Sequence, residues 1–196
     1  LPFFKNYLKN NLDLLEIGCS SGFMLDAFKD KGLNCIGVEP SGEFKDFLIQ
    51  SGHNVVQDIS EIEEHKKFDI ITHFFVLEHI RDPFAFLSQS YDLLKENGVI
   101  ICEIPCANDP LTSIYNIDAF EKFYWSIAHH YYYTPTSIKY VLNSLKYKFK
   151  IVPEQRYDIS NHMTWMMEGK PGGQNKFFKE FGLELNQTYR QRLKDT

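Results

Sequence analysis

Glu16, Gly18, Gly22 and Glu39 are the residues whose types and spacing point most directly to chemistry. The first three lie in L-L-E-I-G-C-S-S-G-F (residues 14–23), and Glu39 lies in G-V-E-P-S. A hydrophobic run ends in an acid. Two glycines four apart then let the backbone turn sharply and approach a bound group. Glu39 follows Gly18 by 21 residues, at the end of the next apolar run. A carboxylate at that place can accept hydrogen bonds from two ribose hydroxyls. Spacing and position together favour a nucleoside ligand over a solvated loop acid. No third glycine completes the G-x-G-x-x-G spacing, which argues against a dinucleotide pyrophosphate.

A second group of candidates lies beyond residue 106. His129 and His130 sit in S-I-A-H-H-Y-Y-Y-T-P, and an imidazole titrating near neutrality suits proton removal from an acceptor hydroxyl. Two packing or surface imidazoles are the bland alternative. Tyr132 is a candidate pocket residue, although three adjacent tyrosines cannot all face one way. Trp165, with Met163, Met166 and Met167, offers a soft aromatic wall. Lys170 can meet an anion, and Gly172-Gly173 after Pro171 reads as a flexible hinge. The alternative for this stretch is a helix and turn packed on the sheet.

These residues need elements to hold them. Apolar runs and turn residues predict strands over 13–17, 34–38, 53–56, 68–75 and 99–104. Helices are expected over 23–31, 42–51 and 83–95, stopped by Gly32, Gly52 and the Glu96-Asn97-Gly98 turn. Residues 1–12 read as the end of a helix. Strict alternation of strand and helix predicts an α/β fold, a doubly wound Rossmann-like parallel sheet flanked by helices. After residue 107 the chain turns aromatic and irregular. A helix over 136–145, a sixth strand over 147–152 and a polar amphipathic helix at the end are expected there.

In such sheets ligands bind outside the carboxyl ends of the strands. Read at those ends, the motifs resemble the class I S-adenosylmethionine-dependent methyltransferases. L-L-E-I-G-C-S-S-G is similar to their motif I, G-V-E-P-S to motif II and Gln57-Asp58-Ile59 to motif III. F-D-I-I-T-H-F-F-V-L-E-H-I-R-D-P resembles motif IV with its extension, and L-L-K-E-N-G-V-I-I-C-E-I-P the strand 5 signature. The resemblance runs in order over about residues 13–145. It is closest to the small-molecule branch with the ubiquinone-type and sugar-modifying enzymes. Where that branch has G-x-G-x-G, the middle position here is Ser20.

The resemblance implies roles residue by residue. Glu16 would orient the methionine amino end, directly or through water, and Gly18, Cys19, Ser20, Gly22 and Phe23 would line the methionyl tail. Glu39 would hold the ribose, with Pro40 against the adenine. Asp58 would accept from the adenine amine and Ile59 pack on the ring. Phe74 and Phe75 would sit by the sulfonium, with plain core as the equal alternative. His129 or His130 would face the acceptor as the base. His79 and Tyr132 are further acceptor candidates, with a cap on the turn after strand 4 as the favoured alternative for Glu78 and His79. Trp165 and Lys170, beyond the resemblance, are candidates from residue type alone. Small-RNA methyltransferases bind a divalent metal through E-x-x-E-H, but Phe75 stands at the first acid position here, so no metal is expected. The chain is expected to be a single domain, with a cofactor half over 13–105 and a C-terminal substrate-pocket insertion over 106–196.

Composition narrows the class. Net charge is −5 with no basic stripe, so nucleic acid is a poor partner. No apolar run reaches the roughly 18 residues of a membrane span. Cys19, Cys35, Cys102 and Cys106 form no C-x-x-C pair, and no signal peptide pattern is present, which reads as a reducing cytoplasm. The expected activity is methyl transfer from S-adenosylmethionine, yielding S-adenosylhomocysteine, to an oxygen of a small polar acceptor, by a monomer or homodimer. A saccharide, nucleotide-linked or phosphorylated acceptor in cell-surface polysaccharide biosynthesis is the favoured class. A catalytically silent cofactor-binding scaffold and a nucleic-acid methyltransferase are the rival readings.

Overall fold

A computed structural model describes residues 2–195 and divides the chain into two compact units, Leu1–Ile104 and Pro105–Thr196. The first unit holds β1 (Asp13–Ile17), α1 (Phe23–Lys29), β2 (Asn34–Val38), α2 (Gly42–Gln50), β3 (Val55–Val56), β4 (Phe68–Phe74), α3 (Pro83–Asp92) and β5 (Leu94–Glu103). The five strands are parallel in the order β3-β2-β1-β4-β5. This is the doubly wound, Rossmann-like arrangement, with β1 in the middle and a crossover at its carboxyl end.

Alternation along β1 builds a core on each face. Leu14 packs with Phe28, Leu33 and Ile70 on one face, under α1. Leu15 and Ile17 pack with Val38, Phe68 and Ile71 on the other, where Phe86 of α3 joins them. A strand buried on both faces needs near-continuous apolar residues, and L-L-E-I meets that need except at Glu16. Asp82 caps α3 by accepting from Ala85 N–H at 3.0 Å, with Pro83 preset at the first helical position. At the amino edge of the sheet, the Lys95 ammonium bonds Asp13 at 2.7 Å and Asp69 at 2.8 Å.

Several boundaries differ from the sequence expectation. Residues 2–7 form a 3-10 turn, and the first residue of the expected helix lies outside the described residues. β5 starts at Leu94, five residues before the expected start. The Glu96-Asn97-Gly98 segment is an irregularity inside the strand, where pairing jumps from Phe68↔Leu94 to Ile70↔Val99. Asn97 takes φ 63° there, so the turn residues were read correctly but their context was not.

The second unit is helical: α4 (Pro110–Ser113), α5 (Asp118–Tyr124), α6 (Pro135–Ser144), α7 (Ile159–Glu168) and α8 (Phe178–Lys194). Its core is Leu111, Phe120 and Trp165. α6 starts with a reciprocal capping box between Thr134 and Ser137. α7 is capped by Asp158, which accepts from Asn161 N–H at 2.8 Å, and ends at left-handed Gly169. α8 bends at Gly182, where φ is 66°. The expected sixth strand over 147–152 is irregular chain. Its alternating Y-K-F-K-I-V sequence suits a strand, but among the described residues no strand pairs with it, and an unpaired strand leaves its ladder unmade. No described helix is long and apolar enough to cross a membrane.

Candidate active site

At the carboxyl edge of β1 and β2 the glycine loop closes on the strand ends. After Ile17, Gly18 turns at φ 75°, and its N–H donates to Val38 O at 2.8 Å; Cys19 N–H reaches the same carbonyl at 3.2 Å. The loop thus folds over the end of β2. A Cβ on Gly18 would lie 2.5 Å from Val76 Cγ2, and one on Gly22, at φ 82°, would lie 2.4 Å from Leu48 Cδ2. Positive φ favours glycine at both positions, and a Cβ there would also have to displace the Val76 and Leu48 side chains. Ser20 takes φ 47°. The middle position is thus left-handed too, which costs a non-glycine residue about 1 kcal/mol.

Glu39 holds this loop in place. Its Oε2 accepts from Ser20 N–H at 2.7 Å and its Oε1 from Ser41 N–H at 2.9 Å. The carboxylate, 7% exposed, therefore straps the loop after β1 to the loop after β2. Charge-assisted bonds of this length are among the stronger ones. Each oxygen keeps a further lone pair for a ligand hydroxyl. Sequence spacing located Glu39, whereas its two backbone partners carry no side-chain signal and were missed.

Glu16 is buried beside the loop, between its register partners Gly37 and Thr72. Burial pushes its carboxyl up to about 8. The Cys19 thiol is pushed up to about 12 by burial, then by the fields of Glu16 and Glu39. Cys19 is thus an inert packing thiol, with Sγ 3.6 Å from Val38 O.

The neighbouring loop after β3 carries Asp58 and Ile59. Asp58 is exposed, and its Oδ1 accepts from Ser60 N–H at 2.8 Å and Ser60 Oγ–H at 2.6 Å. Those bonds hold its carboxyl below the usual value. Ile59 packs half-buried against the Leu15 cluster. Gln57 Nε2 donates to Pro40 O at 3.3 Å, tying this loop to the exposed Pro40. Phe23 is exposed on the first turn of α1. Phe74 and Phe75 part company: Phe74 packs on the Leu14 cluster, while Phe75, at φ 56°, turns outward. His79 is exposed as the last residue of a 3-10 turn that buries Glu78.

The candidates of the second unit fall into different surroundings. His129 is half-buried with its ring 4.9 Å from that of Tyr132, and His130 is exposed. The Tyr132 hydroxyl donates to Tyr124 O at 2.7 Å and accepts from Ser126 N–H, so it is occupied in holding its own turn. Trp165 is 4% exposed and wedged between Phe120 and Phe123, with ring centroids 5.0 and 5.2 Å away. That is core packing of this unit. Lys170 is exposed and paired with Glu168 at 3.0 Å. The expected Gly172-Gly173 hinge is a pinned turn. Gly172 O accepts from Asn161 Nδ2 at 2.7 Å, and a Cβ on Gly173 would fall 1.9 Å from Thr164 Oγ1. A buried polar chain went unseen in the sequence: Tyr115 and Tyr189 hydroxyls lie 2.9 Å apart, and Tyr189 lies 2.7 Å from His162 Nδ1. Burial pushes His162 down to about 4.

Comparison with known proteins fits this geometry. A ubiquinone biosynthesis O-methyltransferase of Rhodopseudomonas palustris is 32% identical over 99 residues, covering 46% of this chain and 38% of that protein. Its namesake in Ruegeria pomeroyi is 29% identical over 101 residues, 46% and 40% of the two chains. The chain spans about two fifths of the length of these curated relatives. A SAM-dependent methyltransferase from Archaeoglobus fulgidus shares the fold with a TM-score of 0.65 at 23% identity, over 100% of this chain and 83% of that one. The plantazolicin methyltransferase, solved with S-adenosylhomocysteine, gives a TM-score of 0.60 at 20% identity, over 74% and 60%. Residues 1–150 match the family described as methyltransferase domain. Because that match takes in every strand of the sheet and each loop at its carboxyl edge, the chain belongs to the methyltransferase domain family.

Proposed function

We propose that this chain binds S-adenosylmethionine at the carboxyl edge of β1, β2 and β3 and transfers its methyl group to an oxygen of a small acceptor. The observation that carries this reading is the Glu39 carboxylate, fixed by Ser20 and Ser41 N–H beside the glycine loop. The residues present suit the cofactor. Glu39 keeps lone pairs for two ribose hydroxyls, and Glu16 Oε2 is buried without a partner. Among the described residues neither acid is in an ion pair. A cationic ligand therefore meets acids already in place rather than competing with lysine or arginine.

Bound, the cofactor supplies a methyl group on an electrophilic sulfonium. The chain's part is orientation and proton removal. Glu39 holds the ribose, Gly18 and Gly22 let the backbone close on the methionyl tail, and Asp58 with Ile59 receives the adenine. His129 or His130 takes the acceptor's proton. The relatives' name favours oxygen as the acceptor atom. A saccharide acceptor in polysaccharide biosynthesis rests on the composition, and a nucleotide-linked or phosphorylated one on Lys170 and Arg156; the names of these relatives support neither.

The test is thermal unfolding with S-adenosylhomocysteine. At a hundredfold excess over Kd, binding to the native state adds about 2.7 kcal/mol. A clear rise in Tm is expected, and no rise at millimolar ligand would sink the reading.

A further inference from the structure

Glu16 sits in the centre of the sheet in a state that cofactor binding alone does not explain. It is 3% exposed and its Oε2 has no hydrogen-bond partner. A buried carboxylate without a cation or donors is expensive, and such a group takes up a proton instead. The groups around it do not change that. The loop contributes Cys19, β2 contributes Cys35, and Glu39 stands at the end of β2. The β4 partner is the uncharged Thr72. The Lys29 ammonium of α1 acts on Cys35 and is bonded to Gly52 O at 3.1 Å. Burial is the largest cause that pushes both thiols well above their ordinary value, so both stay neutral whether or not Glu16 is charged.

Resting on the cofactor reading above, we propose that Glu16 is a protonated acid in the ligand-free protein and ionises when the ligand's α-ammonium arrives, so that binding expels a proton. The carboxylic O–H bond breaks, its proton passes to the buffer, and the carboxylate stays opposite the ammonium. Nothing is oxidised or reduced. The direction agrees with burial, which lifts the carboxyl to about 8 and which an adjacent cation reverses. Glu16 is thus a positioning residue whose charge appears only in the complex. Substrate and product cofactor carry the same ammonium, so both expel the proton.

The test is isothermal titration of S-adenosylhomocysteine at pH 7 in phosphate and in Tris. Wild-type protein should show a binding enthalpy that depends on buffer, corresponding to close to one proton released. 5′-Methylthioadenosine, which lacks the amino acid, should release none. Glu16→Gln, a neutral isostere of the protonated acid, should abolish the release. Without any variant, wild-type affinity should tighten about tenfold per pH unit from 6 to 7 and level off above about 8. Homocysteine-ligand binding with no buffer dependence overturns the proposal alone, as does unchanged release in Glu16→Gln. Absence of binding at every pH overturns the cofactor reading and the proposal with it.

Discussion

Glu39→Ala is the most informative perturbation, because it removes a side chain that holds the glycine loop and to which the proposed function also gives the ribose. Two bonds to Ser20 and Ser41 N–H vanish. Ser20 is exposed and Ser41 half-buried, so water can partly replace the carboxylate. The stability cost is therefore about 1–2 kcal/mol, at the lower end for charge-assisted bonds, or roughly 2–8 °C in Tm. Loss of two ribose contacts adds about 1–3 kcal/mol to cofactor binding, a factor of roughly 5–150 in Kd. Calorimetric titration of S-adenosylhomocysteine measures the second quantity. Amide exchange at Ser20 and Ser41 reports the first, and both amides should exchange faster in the variant. Glu39→Gln is no milder control, since its amide nitrogen would face one of the two N–H donors. Cofactor affinity within twofold of wild type would refute the assignment, whatever happens to Tm.

Other expectations come from buried groups. His73 is fully buried, has no partner for either ring nitrogen, and is pushed down to about 4. Its folded value lies below its unfolded one, so its contribution to stability is present above about 6.5 and is lost as pH falls toward 4. The loss reaches about 3 kcal/mol, and urea unfolding at pH 7 and pH 4.5 should show a smaller pH dependence in His73→Leu; an identical dependence would count against it. Tyr189→Phe strands Tyr115 and His162 together and should cost about 1–3 kcal/mol in urea unfolding. Tyr115→Phe, which leaves Tyr189 bonded to His162, should cost less, and the reverse order would contradict the chain described. Gly22→Ala forces a Cβ against Leu48 at φ 82° and should destabilise by about 1–3 kcal/mol; a Tm equal to wild type would show that the loop relaxes freely. His129→Ala or His130→Ala should lower turnover more than cofactor affinity, and the opposite pattern would make these imidazoles structural.

The first unit was largely legible because its signals are local. β1 and β2 fall at the residues that apolar runs bounded by acid and glycine predict, and Gly18, Gly22 and Glu39 declare themselves by spacing. What spacing could not reveal is the use of main-chain donors: Ser20 and Ser41 hold Glu39 through N–H groups that any residue type would carry. The middle loop position differs in residue type from the glycine of the motif it resembles, and its left-handed φ of 47° is a conformation that a serine does not declare in sequence. The second unit was harder to read. An alternating Y-K-F-K-I-V stretch predicts a strand, but a strand requires a partner that lies elsewhere in the chain. Trp165 reads as a pocket wall or as core with equal ease until Phe120 and Phe123 are seen on either side of it.

The amino edge of the sheet has a kinetic meaning. Lys95 joins Asp13 across 82 residues of chain and Asp69 across 26. The central pairing of β1 with β4 spans a comparable gap. Closing such loops costs entropy before any contact rewards it, and non-local parallel pairing slows assembly. A refolding chain can form α1 against β2 from residues near in sequence, while β1 still lacks its other neighbour. The glycine loop, tied to Val38 O and Glu39 by neighbours near in sequence, has its remaining side closed by Val76, which follows β4. The wall that Val76 gives the loop thus depends on a pairing that is non-local in sequence.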